Sequence, residues 1–285
     1  MPSVKIQGAE HRYTLTPRTN APYTIAFLHG WLLSQAYWQP LVEQLQPHYQ
    51  CLTYDLRGFG QSQLGDRNEY SPASYAQDLL EMLDILGIQN VWLVGHSLGG
   101  IIALWSARVL GDRVLGVVCL NAGGGIYIKE EFEKFRQAGR VILKFRPLWL
   151  QNIPFVDRQF AKDSVKFSLD RQWGKQRALD FVTAKYEAAQ GTLLDSTSAE
   201  EVLRLPQVVA SLKQPAYFIA GSDDQIMEPK YVRHLASFHA SFNGCGDNVF
   251  ELTDCGHMLM LEQTEQVTEI LRDLLIYNRV EQVIK

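Results

Sequence analysis

A chain of 285 residues with 46% apolar and 20% charged residues has ordinary globular composition, which excludes a largely disordered polymer and supplies material for one core of about 200 residues plus an insertion. A tandem of two full domains is not expected. The formal net charge of -4 offers no surplus of Lys and Arg for neutralising phosphates, so no nucleic-acid partner is expected.

In chain order, Lys5, Glu10, His11 and Arg12 break up the first residues, and no secretory signal is expected there. Apolar runs then read as strands at Thr24 to Leu28, Gln50 to Tyr54, Val91 to Val94, Val114 to Leu120, Ala216 to Ala220 and Asn248 to Leu252. Five of them precede a helical pattern or a long excursion, the mark of βα units around a mainly parallel sheet. Ser71 to Leu86 reads as a helix with Ser71 as N-cap, Pro72 at its first position and Gly87 as its stop. Leu98 to Leu110, closed by Gly111, is a second, and Pro229 to Ser241 a third. The apolar run from Val91 to Trp105 is interrupted by Gly95, His96, Ser97, Gly99 and Gly100, so no transmembrane segment is expected.

Between Gly125 and Pro215 the strands stop and aromatic residues appear among Lys and Arg. We read this as a helical cap over residues 126-212, inserted into a core formed by 1-125 and 213-285. From Ile126 to Gln190 there are 13 Lys and Arg against 8 Asp and Glu, with 11 of the 31 aromatic residues. The acidic average conceals a basic, aromatic segment. One reading is an amphipathic lid over an apolar pocket, its charge steering an anionic head group or making peripheral contact with a membrane. The plainer reading, our working expectation, is a set of helices that bury aromatics and solvate lysines.

Cys51 and Cys119 fall inside strand runs, where a thiol acts as a small hydrophobe. Cys245 and Cys255 flank a strand whose ends lie roughly 15 Å or more apart, beyond disulfide reach. A reducing, cytoplasmic location is expected. Cys255 and His257 lack further ligands at metal spacing, so neither metal nor cofactor is expected.

Gly95-His96-Ser97-Leu98-Gly99 spells GxSxG between a strand and a helix. A sharp strand-to-helix turn puts its central residue in strained dihedrals and needs small neighbours, leaving the Ser97 hydroxyl exposed above the sheet beside the positive end of the helix. With this motif stand His29-Gly30-Trp31, Asp55-Leu56-Arg57-Gly58-Phe59-Gly60-Gln61-Ser62, Gly221-Ser222-Asp223-Asp224 and Gly256-His257, each at a strand end and all in order. On these residues the chain resembles the α/β-hydrolase superfamily, in the capped serine hydrolase branch that includes esterases and lipases.

The resemblance implies an α/β-hydrolase fold and a triad in the chain order Ser, acid, His, with Ser97 as nucleophile. His257 alone among seven histidines follows the last strand in a glycine-flanked loop, and it is expected to act as general base and then acid. Similar families place the acid three residues after the glycine that ends the strand; from Gly221 that is Asp224, with Asp223 as its close rival. The other acid position of such folds is Asn121 here, which cannot carry charge. The oxyanion donors implied are the backbone N-H groups of Leu98 and Trp31. Trp31, His96 and Met258 are the expected substrate-binding residues, although the Trp31 ring could equally wall the acyl pocket or pack against the cap. Asp55 and Arg57 are read as structural. The family often has Glu then Pro after the histidine, but Gln263 follows Glu262 here, a departure confined to the start of the last helix.

The activity implied is hydrolysis of a carboxylic ester, or related acyl bond, of a small and hydrophobic substrate through an acyl-enzyme. Ser97 in place of aspartate argues against haloalkane dehalogenase and epoxide hydrolase chemistry. Meta-cleavage product hydrolases and the menaquinone-pathway lyase share the triad and cap and stay open as alternatives, as do perhydrolase activity and a ligand-sensing receptor on the same fold.

Overall fold

Strands covered on both faces need no polar alternation, and the six apolar runs form six adjacent strands of one sheet, the last of them at its edge. The structure, a computed structural model, describes residues 1-126 and 128-284, with 279-284 as backbone only. Its strands are β1 (Ser3–Ile6), β2 (Ala9–Leu15), β3 (Thr24–Leu28), β4 (Gln50–Tyr54), β5 (Val91–His96), β6 (Val114–Leu120), β7 (Ala216–Gly221) and β8 (Val249–Leu252). They are ordered β1-β2-β4-β3-β5-β6-β7-β8. β2 is antiparallel to both β1 and β4, and the remaining pairs are parallel. The β1–β2 hairpin was not expected. Gln7 and Gly8 turn it with φ of 46° and 79°, as a two-residue hairpin loop demands, and bring Val4, Ile6 and His11 into buried positions.

The helices are α1 (Gln39–Leu45), α2 (Pro72–Ile85), α3 (Leu98–Leu110), α4 (Lys129–Lys144), α5 (Val156–Phe160), α6 (Arg171–Thr183), α7 (Tyr186–Ser196), α8 (Ala199–Ser211), α9 (Pro229–Ala236), α10 (Leu259–Glu262) and α11 (Thr264–Ile284). Alternate residues of each central strand face different layers. Ala26, Leu28 and Leu93 join the core under α2 and α3, while Ile25, Phe27 and Trp92 join the one under α1 and α11. Ser71 caps α2, its hydroxyl accepting the Ser74 N-H at 3.2 Å. The helix expected over Pro229 to Ser241 ends at Ala236, because the His239 ring accepts the Ser241 N-H at 3.1 Å and starts a separate short turn. Among the described residues no helix is long and apolar enough to cross a membrane.

Helices α4 to α8 occupy the connection between β6 and β7. Tyr127, one of the aromatics at its start, lies outside the described residues. α6 is held to the core by a buried polar contact in which Asp180 accepts from the Ser34 hydroxyl at 2.8 Å and from Gln176 Nε2 at 3.0 Å. Burial outweighs these bonds and pushes the Asp180 carboxyl up to about 7. The folded carboxyl therefore keeps its proton up to about pH 7, whereas the unfolded one loses it near pH 4. Its contribution to stability is complete below about pH 4 and is lost as pH rises through 7. Asp180→Asn is expected to gain on the wild type across that window, by on the order of 4 kcal/mol at its top. Chemical denaturation at several pH values checks this; a pH-independent offset would contradict it.

Candidate active site

β5 ends in the turn carrying Ser97, which sits at φ 52° and ψ -119°, a sparsely populated region that costs on the order of 1–3 kcal/mol. Glycine neighbours permit the turn. A methyl group on Gly99 would meet the carbonyl oxygen of Leu28, and one on Gly95 that of Gly99. The turn aims α3 at the site, and Leu98 opens that helix, in the first turn whose N-H groups have no acceptor inside the helix.

Asp224 and His257 come from loops after β7 and β8. The Asp224 Oδ2 and His257 Nδ1 are 2.7 Å apart in a buried pair. Asp224 Oδ1 accepts the Ile226 and Met227 N-H groups at 2.8 and 3.0 Å, which fixes the carboxylate plane. Nδ1 must carry the proton to donate to this carboxylate, so in the neutral ring Nε2 is left with its lone pair. Asp223 lies outside this arrangement. It is bound to Lys166 Nζ at 2.6 Å on the surface, and that bond, with one from the Ser222 hydroxyl, lowers its pKa.

The His257 loop is clamped on several sides. Asn121 Nδ2 donates to the Gly256 and His257 carbonyls, both at 2.9 Å, and Asn121 Oδ1 accepts the Gly221 N-H at 2.8 Å. Glu262 accepts the N-H groups of Gly256 and Met258, each at 3.0 Å, and of Lys166 at 2.7 Å. The His257 N-H reaches the Ser164 carbonyl at 2.8 Å. None of these roles was foreseen. Asn121 carries no charge and so cannot be the acid, yet an amide that donates and accepts at once is what this three-loop junction uses. Glu262 was visible in the sequence, but its acceptors' partners are backbone groups, which carry no sequence signal.

His96, expected to contact substrate, borders the same cavity as Ser97 and His257, yet none of its surface is exposed to solvent. Its Nε2-H donates to the His257 carbonyl at 2.8 Å, and its ring packs 4.7 Å from the His257 ring. Burial, with the neighbouring His257, holds its pKa well below the usual histidine range. His29 is pinned between the Gly30 carbonyl and the Leu56 N-H at 2.8 and 2.9 Å, and burial lowers its pKa too. Asp55 accepts the Gln35 and Gln61 N-H groups, and buried Arg57 pairs with Asp78 at 2.9 Å; both hold loops beside the site.

Ser97, Leu98, His257, Met258 and Trp31 all line one cavity of about 880 Å³, within the size range of small-molecule sites. Phe132, Phe135, Phe160 and Phe181 of the β6–β7 connection close it from above. The Trp31 ring lines this cavity while its Nε1-H donates to the Ala189 carbonyl of α7 at 2.8 Å, so the ring borders the cavity and is tied to the β6–β7 connection at once. Among the described residues no cluster of His, Cys, Asp and Glu is grouped as a metal site.

Residues 23–264 match the family model for the alpha/beta hydrolase fold. The chain is 25% identical over 94% of its length to 3-oxoadipate enol-lactonase 1 of Acinetobacter baylyi, covering 90% of that protein. It is 29% identical over 87% of its length to the pimeloyl-[acyl-carrier protein] methyl ester esterase of Xanthomonas campestris, covering 92% of it. A thermophilic esterase from Thermogutta terrifontis superposes with a TM-score of 0.79 at 21% identity, over 98% of this chain and 99% of that one.

Proposed function

We propose, from the premise that this chain belongs to the alpha/beta hydrolase fold family, that it hydrolyses carboxylic esters of small apolar substrates through a covalent acyl-enzyme on Ser97. The observation that carries this reading is the buried His257–Asp224 pair, 2.7 Å apart, whose His257 lines the same cavity as the strained Ser97 that precedes α3. The two relatives support the bond type, since one is named a lactonase and the other a methyl ester esterase.

In this mechanism the Ser97 Oγ attacks the ester carbonyl carbon as His257 Nε2 takes its proton. Asp224 keeps the imidazole in the required tautomer and stabilises the imidazolium. The tetrahedral oxyanion is held by the Leu98 and Trp31 N-H groups, each worth about 3 kcal/mol to the transition state. The intermediate collapses with cleavage of the C-O bond, and His257 returns the proton to the departing alcohol. Water then attacks the acyl carbon with His257 again as base, releasing the acid and restoring Ser97. Residues 126–212 act as the cap that closes the acyl pocket over these groups.

A p-nitrophenyl ester is expected to give a stoichiometric burst of phenolate, with the acyl mass recovered on the peptide bearing Ser97. Across an acyl-length series kcat/KM is expected to rise by about fourfold per methylene, at roughly 0.8 kcal/mol per buried group, until the cavity fills. Failure of every ester, with turnover of a vinylogous keto acid, would replace acyl transfer by C-C bond cleavage.

A further inference from the structure

The net charge of the cap concentrates in one stretch. From Lys134 to Val156 there are five Lys and Arg and neither Asp nor Glu. Within it Val141, Phe145, Leu148, Trp149, Ile153 and Phe155 are exposed, Phe145 by 83% and Trp149 by 63%. Soluble proteins scatter exposed apolar side chains singly; a run of this kind marks a contact surface. Helix α4 buries Gly139 and Leu143, with Gly139 against Leu193 of α7, so Val141 and Phe145 lie on its outer side, and Leu148, Trp149, Ile153 and Phe155 are exposed in the segment that follows.

The cations are placed in the same way. Arg136 and Arg146 turn inward, onto Thr197 and onto the carbonyls of Phe181 and Ala184. Lys134, Arg140 and Lys144 stay exposed, and among the described residues none forms an ion pair. Arg158 adds a guanidinium 4.9 Å from the Phe155 ring centre. On its C-terminal side the first acids are paired, Asp157 with Arg171 and Asp163 with Arg177; on its N-terminal side Glu130, Glu131 and Glu133 are exposed at the start of α4, Glu133 4.0 Å from Lys129, so the cationic surface begins at Lys134.

We propose that this outer surface of the cap, residues 134–156, docks on an anionic lipid bilayer. Aromatic and aliphatic side chains interleaved with Lys and Arg suit the headgroup boundary, where rings insert and cations meet lipid phosphates. A second copy of the chain fits poorly, since it would bring two cationic faces together. Phe135 and Ile142 of α4 also line the cavity, so docking sets the pocket beside the membrane.

Cosedimentation with vesicles of phosphatidylcholine, with and without phosphatidylglycerol, tests this without reference to catalysis, so its failure leaves the ester-hydrolase reading untouched. Binding is expected only to the anionic vesicles, and to fall at high salt. Arg140→Gln with Lys144→Gln is expected to weaken partitioning by about 25-fold, at about fivefold per cation. Phe145→Ser with Trp149→Ser is expected to weaken it by about 100-fold, at roughly tenfold per ring, with the melting temperature unchanged. No binding to the anionic vesicles, equal binding to neutral ones, or a dimer dissolved by the same substitutions would each overturn the proposal.

Discussion

Ser97→Ala is expected to lower kcat on an activated ester by about a million-fold, and His257→Ala by a similar factor, while the double variant is no worse than either alone. The reason is that nucleophile and base act as one unit. Without the hydroxyl there is no proton for the imidazole to take, and without the imidazole the hydroxyl is a poor nucleophile at neutral pH. What survives is the oxyanion donation by Leu98 and Trp31 and the binding in the cavity, which leave about a thousand-fold advantage over water. Ser97 already holds φ 52° and alanine must hold the same, so the melting temperature is expected to move little. Single-variant losses that multiply in the double variant would mean the two residues act independently. A Ser97→Ala loss below about a hundred-fold would place the nucleophile elsewhere.

The parts of this site legible in the sequence are those whose chemistry demands a residue type at a spacing. Gly95 and Gly99 flank Ser97 because backbone carbonyls pass where any Cβ would lie. β3, β4 and β6 begin and end where their apolar runs do, since strands buried on both faces leave no ambiguity of register. The β1–β2 hairpin was illegible for the opposite reason. Lys5 and Arg12 alternate with buried Val4, Ile6 and His11, and a charged edge strand resembles loop unless its Gln7-Gly8 turn is recognised. The clamp on His257 was illegible because Asn121, Glu262 and Ser164 bind it through backbone groups. The cap's total charge was readable from composition, but its separation into inward Arg136 and Arg146 and outward Lys134, Arg140 and Lys144 needed the fold.

Asp224→Asn is expected to lower kcat by about ten-thousand-fold with little change in KM. The variant is close to isosteric, and its Oδ1 can still accept from the Ile226 and Met227 N-H groups that now bind the carboxylate at 2.8 and 3.0 Å, so the loop keeps its shape. What changes is the atom facing His257. In place of an acceptor 2.7 Å from Nδ1 the ring meets an amide N-H, which it can satisfy only by accepting on Nδ1. The proton then resides on Nε2, the atom that must take one from Ser97, and the base is blocked while every heavy atom stays in position. Asp223→Asn separates charge from geometry. That carboxylate is one residue away and pairs with Lys166 at the surface, where solvent screens the pair, so its loss is expected to leave kcat within about twofold. If Asp223→Asn were the damaging change and Asp224→Asn the harmless one, the acid of the triad would be Asp223, and the buried 2.7 Å contact would be structural only.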